Sequence, residues 1–135
     1  MKSLNTFLTV VVPGHAATVF WHFQALAGLQ PTLTHSEALL FGAFANLVPL
    51  TALLLWPNFS QLAAWLVIPA FTIPLAIGGY QHSAKPGADN VFPMVPGPWT
   101  LLYRISAALL VRLEILGIWR SVRTLRNSSS PALAS

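Results

Sequence analysis

The sequence predicts an all-α integral membrane bundle of four transmembrane helices. Three observations predict it. The chain has 135 residues, 55% of them hydrophobic and 7% charged, whereas soluble globular domains carry about 25% charged residues. No Asp, Glu, Lys or Arg occurs from Ser3 to Ser36, and none occurs from Ala38 to Ala84. The second run is 47 residues long; one span needs about 20 apolar residues, so two spans and a turn account for it. A buried helix of a soluble protein rarely runs past about 20 residues without a charged face.

The first span is expected over 5–28. Lys2 precedes it and Gln30-Pro31 ends it. A lysine before an apolar stretch also describes a signal peptide, but this stretch is long. Pro13-Gly14-His15 interrupts it, and the Ala16-Ala17 region makes a poor cleavage site, so a retained span is the reading. The second span is expected over 38–56, with Thr34 and Glu37 spaced as a capping box before it. Pro57-Asn58-Phe59-Ser60 reads as a turn. Asn58-Phe59-Ser60 also matches a glycosylation acceptor, but turn chemistry explains it in so tight a connection. The third span follows over 61–80. Trp56, Trp65 and Tyr80 are placed at the depths that amphipathic aromatics favour.

Residues 81–98 read as a polar, proline-rich loop, in which Pro93, Pro96 and Pro98 oppose a helix. A loop of this length can fold back over the bundle as a cap.

The last span is expected over 99–119, within a helix that runs on to Arg126. Arg104, Arg112 and Glu114 fall inside it, each costing about 2.5–3.5 kcal/mol at mid-bilayer on insertion scales. At about 100° per residue, its five arginines share an arc of roughly 160°, and Glu114 lies opposite. One reading is a fourth span whose arginine face packs inward or snorkels. The alternative is three spans plus one interfacial amphipathic helix; the apolar content of 101–118 favours the span. Residues 1–126 then form a single transmembrane helical domain, and 127–135 a disordered polar tail. Lys2, Arg120, Arg123 and Arg126 mark one side and Lys85 alone the other, which places both termini in the cytoplasm. That clustering explains the net charge of +4 through orientation and membrane lipids, with no nucleic acid.

The absence of cysteine excludes disulfides, thiolate metal sites and thiol nucleophiles. No phosphate loop, nucleophile elbow or acidic metal cluster is present. The candidate catalytic residues are His15, His22, Tyr80, His82 and Glu114. His15 and His22 are seven positions apart, on nearly one helical face, and an intramembrane imidazole needs a partner or a cavity. A metal or haem would need ligands from other helices, so no metal is assigned and the cofactor is left open. The plain alternative is a hydrogen bond from His22 across a helix interface. Tyr80 and His82 sit where the third span meets the loop. His82 can act as a general acid or base near neutral pH, and Tyr80 can orient a hydroxyl or carbonyl; the alternative is an aromatic belt and a wet loop. Glu114, the one acidic residue well inside an apolar segment, can donate a proton to a lipophilic substrate or pair with an arginine. Asn46, with Gly42 one turn before it, reads as polar glue between close helices. Pro13, Pro49, Pro69 and Pro74 each remove a helical bond and can shape a cavity.

In length, span number and the basic end Arg120–Arg126, the chain resembles small four-pass membrane proteins. These are the DoxX-like group and the anthrone-oxygenase-like proteins of fungal secondary-metabolite pathways. The resemblance implies action on hydrophobic small molecules, quinones or polyketide-like compounds. The expectation is therefore an enzyme or binding protein for a lipophilic small molecule, working by oxidation, cyclisation or isomerisation. The rival is a non-catalytic accessory or assembly subunit of a larger membrane complex, with a homo-oligomer also compatible.

Overall fold

The computed structural model describes residues 2–29, 35–84 and 90–129. These residues are all-α. Helix α1 runs Lys2–Gly28, α2 His35–Leu55, α3 Ser60–Gly79 and α4 Pro98–Ser129, with a π-helical turn, Tyr80–Ala84, prolonging α3. Each helix packs on its neighbours in sequence, and α4 closes the ring by packing along α1 as well as α3. α1 and α4 run antiparallel: His22 meets Ser106 and His15 meets Glu114.

The helices begin and end near the expected places. The α2–α3 turn is closed by the amides of Asn58 and Phe59, which both donate to the Leu55 carbonyl. α1 and α2 each start three residues early, since nothing in Lys2–Leu4 or His35–Glu37 opposes a helix. The expected capping box cannot be placed, because Thr34 lies outside the described residues. The loop expected from residue 81 starts later. Gln81, His82 and Ser83 contain no helix breaker, and they continue α3 in the wider π geometry. The Ser83 hydroxyl bonds back to the Gly79 carbonyl. α4 starts at Pro98, where the missing N–H costs nothing. It runs three residues past Arg126, and the Ser128 hydroxyl donates to the Thr124 carbonyl. Asn127–Ser129 are thus helical, and the rest of the expected tail lies outside the described residues.

Two apolar clusters hold the ring together. The first, towards the chain ends and the α2–α3 turn, gathers Leu8, Val11, Val12, Trp56, Val67 and Phe71 around Ala52, Ala63, Ala64 and Ala70. Those alanines are 0% exposed, and small side chains let helices approach closely. Trp56, expected at a membrane boundary, lies inside this cluster, whereas Trp65 is 63% exposed. At Gly117 a Cβ would come 2.2 Å from the Phe71 ring, so only glycine leaves room for that ring. The second cluster joins Ala25, Leu26 and Tyr103, and Val91 and Met94 of the loop pack onto it. The described part of the loop, 90–97, is fastened there. The Arg104 guanidinium donates to the Val91 and Met94 carbonyls, and the Val91 amide donates to the His82 carbonyl.

The arginine face of α4, expected to pack inward or snorkel, is the outer face. Arg104, Arg112, Arg123 and Arg126 are exposed, and Arg120 is half-buried. Glu114 is turned inside at 4% exposure. A carboxyl with a hydrogen-bond partner across the bundle can be buried; a row of guanidinium groups is far costlier to bury than to leave at the surface. Apolar side chains also cover the outside of every helix: Val10 and Phe20 on α1, Leu47 and Leu54 on α2, Leu62 and Trp65 on α3, Leu101 and Ile115 on α4 are all at least half exposed. The segment Ser60–Ala84 is long and apolar enough to cross a membrane, and Phe41–Leu55 is a shorter apolar helix.

Candidate functional site

Between the two clusters the bundle encloses a partly open cavity of about 110 Å³. Its wall is mostly apolar, and the only lining residues that are exposed are Ile77 of α3 and Val111 of α4. They flank an apolar mouth. Pro74 helps make the space: it lines the cavity and removes the helical bond to the Ala70 carbonyl.

Four chemically active side chains reach this wall: His22, His82, Tyr103 and Glu114. They come from α1, the π turn and α4. The seven-residue spacing puts His15 and His22 on the α1 face that meets α4. His22 Nδ1 lies 2.9 Å from the Ser106 hydroxyl. That hydroxyl donates its one proton to the Tyr103 carbonyl at 2.9 Å, so it accepts from His22 Nδ1–H. The tautomer follows: Nε2 of His22 is left as a hydrogen-bond acceptor. The His22 ring stacks on Tyr103, centroids 4.5 Å apart, and meets His82 edge-on at 5.1 Å. Tyr103 Oη and His82 Nδ1 share a 2.9 Å hydrogen bond. Two imidazoles and a phenol thus form one ring cluster beneath the loop.

At the other end, His15 Nε2 lies 3.3 Å from Glu114 Oε1, both side chains buried. The His15 ring rests on Phe71 at 4.5 Å. Its Nδ1 is buried and has no hydrogen-bond partner among the described residues. Glu114 therefore faces the cavity on one side and a buried imidazole on the other.

Of the five residues picked from the sequence, His22, His82 and Glu114 line the cavity, and His15 supports Glu114 from behind. Tyr80 does not join them: it is 61% exposed on the outside of the π turn. Residues two positions apart lie on nearly opposite sides of a helix, so Tyr80 and His82 cannot share a face. The arginine partner considered for Glu114 is replaced by His15. Asn46 bonds within its own helix, donating to the Gly42 carbonyl at 2.7 Å, and does not bridge helices. Tyr103 and Ser106 were not singled out from the sequence. Their signal was present in the spacings of three, seven and eight that put Thr100, Tyr103, Ser106, Glu114, Ser121 and Thr124 on one side of α4, all buried on the face opposite the arginines.

Among the described residues no three His, Cys, Asp or Glu side chains gather closely enough to hold a metal ion. No known protein family, curated protein or solved structure matches the chain.

Proposed function

We propose that this chain is a multi-pass membrane protein that binds a lipophilic small molecule between its helices and acts on it by proton transfer. The apolar outer surface of all four helices supports the membrane reading, because water does not stabilise so much exposed hydrocarbon. α4 packs along α1 and α3, so it crosses if they do. With four spans, the Lys/Arg asymmetry puts both termini in the cytoplasm.

The observation that carries the functional reading is the convergence of His22, His82, Tyr103 and Glu114 on one apolar cavity. Apolar walls take a hydrophobic ligand, and a few convergent polar groups orient it. The groups supplied are acids and bases. Nε2 of His22 offers a hydrogen-bond acceptor, and His82, Tyr103 and Glu114 offer groups that can give or take a proton. Isomerisation or cyclisation is the chemistry these groups support best, and quinone- or polyketide-like compounds are the class implied by the DoxX-like and anthrone-oxygenase-like resemblance.

The test is to purify the chain from its membrane, identify the small molecule that co-purifies, and repeat with His22→Ala. The expected result is loss of that molecule and of its conversion, with folding and insertion unchanged. If His22→Ala only lowers stability, the histidine is a packing residue and the reading fails.

A second reading, an accessory subunit of a larger membrane complex, is favoured by one observation: Arg112 sits on the outer face, level with the His15–Glu114 pair, among exposed Leu109, Ile115 and Leu116. A guanidinium at such depth calls for a carboxylate partner or a headgroup within reach. Under that reading Arg112→Leu breaks assembly while Arg123→Leu, nearer the helix end, does not. Comparing the two variants by size in mild detergent decides it.

A further inference from the structure

The geometry points to the class of ligand this cavity takes and to the way the ligand lies in it. A hydroxylated head no larger than a single ring is held inside, bonded to Glu114. An apolar tail leaves between Ile77 and Val111 and runs along the outside of α3 and α4. The inference rests on the cavity being a binding site.

Volume sets the size of the head. An apolar cavity of about 150 Å³ takes up one benzene molecule, and this one measures about 110 Å³. One ring standing partly in the open mouth is the most it holds, and a larger molecule keeps the rest of itself outside. The wall suits a ring, because Phe23, Phe41 and Tyr103 line it and aromatic groups attract one another through faces and edges.

Polarity sets which part stays inside. The polar lining residues are His22, Gln81, His82, Tyr103 and Glu114, and none of them is exposed. The two exposed lining residues, Ile77 and Val111, are hydrocarbon. Phe71 sits against Gly117 and His82 bonds Tyr103, so α3 and α4 run antiparallel. Six residues on from Phe71 and six back from Gly117, Ile77 lies level with Val111. One turn nearer the tight cluster, Ile73 lies level with Ile115 in the same way, and both are exposed. Hydrocarbon thus continues from the mouth along both helices. A molecule that crosses the mouth matches these surroundings with its polar head inward and its apolar tail outward.

Position selects the bond. Glu114 is three residues from Val111, about 4.5 Å along the helix, and is the polar lining residue of α4 nearest the mouth. Its Oε1 already meets His15 Nε2, and the proton of that bond lies between the two atoms whichever group holds it. A carboxyl accepts on both oxygens, so Oε2 can take a further bond. The head therefore brings a donor, and a ring hydroxyl supplies one. Gln81 stands on the loop side of the mouth, four residues on from Ile77, and this bond does not need it. The bonds of His22 to Ser106 and of His82 to Tyr103 stay intact.

The probes are 4-octylphenol, 4-ethylphenol, octylbenzene and 6-octyl-2-naphthol. Binding is measured by calorimetry on the full chain in lipid nanodiscs, with empty nanodiscs used to correct for partitioning. After that correction the two phenols should agree within about threefold, since a tail outside the cavity passes only from hydrocarbon to hydrocarbon. Octylbenzene should bind about tenfold or more weakly than 4-octylphenol, because a site built to bond a hydroxyl rejects the analogue lacking it. The naphthol, whose head has two rings, should not bind. His15→Leu combined with Glu114→Leu removes the buried pair together and should erase the advantage of 4-octylphenol over octylbenzene. Val111→Trp should abolish binding of 4-octylphenol by closing the mouth. If 4-octylphenol and octylbenzene bind the native chain alike and Val111→Trp blocks both, the cavity is a binding site without this head contact, and the inference is overturned alone. A steep loss of affinity from ethyl to octyl overturns it by showing that the tail has no way out. Binding of the naphthol overturns the size limit, and an advantage that survives in the double variant overturns the bond to Glu114. If no probe binds, the inference fails together with the reading it rests on.

Discussion

Around Val67 the alanines of α2 and α3 meet the aliphatic side chains of α1 and α4; around His22, α1, the π turn and α4 meet through aromatic and imidazole rings. The first region excludes space. Ala52, Ala63, Ala64 and Ala70 are fully buried, and Phe71 is seated against a glycine. The second region keeps space open, with a proline, a π turn and a tethered loop around a cavity. The boundary between them is a single layer: Phe71, His15 and Glu114, stacked in that order from the tight half to the open half. The contrast teaches how a short chain divides its tasks. Close packing at one end supplies rigidity, so polar groups at the other end can be held around a partly empty space.

The largest effect that would test this division is in the tight half. Gly117→Leu drives a side chain into the Phe71 ring and should cost about 3 kcal/mol or more, since overpacked cores cannot relax. Unfolding in detergent should show it as a large loss of stability. A mild effect would mean that this half is as loose as the other.

The boundary layer comes next. His15→Leu strips Glu114 of its buried partner and should cost about 1–3 kcal/mol. Adding Glu114→Leu should recover most of that loss, because replacing both partners by apolar groups removes the unpaired one. If the two losses simply add, the pair does not interact in the folded protein.

In the open half the effects should fall on ligand and loop rather than on stability. Val111→Trp should leave the unfolding transition nearly unchanged while blocking the cavity. Arg104→Ala should be smaller still: it removes two bonds to the loop, so the amides of Val91, Phe92 and Met94 should exchange with solvent faster while α1–α4 keep their protection. Faster exchange in the helices as well would show that the loop supports the bundle and does not merely cover it.

A topological test checks the proposed four spans. Because the chain has no cysteine, single cysteines report cleanly. In intact cells Ser3→Cys and Ser130→Cys should resist an impermeant reagent applied outside, and Ala88→Cys should react. Protection at one terminus and labelling at the other would leave three spans.

Much of the fold could be read from the charge-free runs, because a helix in an apolar setting announces itself by composition. The turn at Pro57–Ser60 was equally plain. Half of the site was legible for a different reason: His15 and His22 are costly residues in an apolar helix, and their spacing fixes a common face. Which face of α4 turned inward was not legible. The helical wheel opposes Glu114 to the arginines but cannot say which set finds a partner. That depended on His15, 99 residues away in sequence. Tyr103 and Ser106 were hidden because a tyrosine and a serine are ordinary in a helix; only the contact with His22 and His82 makes them special. The π turn was also hidden, since no residue in Tyr80–Ala84 demands it.

The apolar mouth between Ile77 and Val111 has a kinetic consequence. Under the proposed function this mouth, flanked by hydrocarbon side chains on the outside of the bundle, takes its ligand from the lipid phase, not from water. Occupancy then follows the mole fraction of the compound in the bilayer rather than its bulk concentration. Adding inert lipid at a fixed total amount of compound should slow turnover, and adding buffer should not.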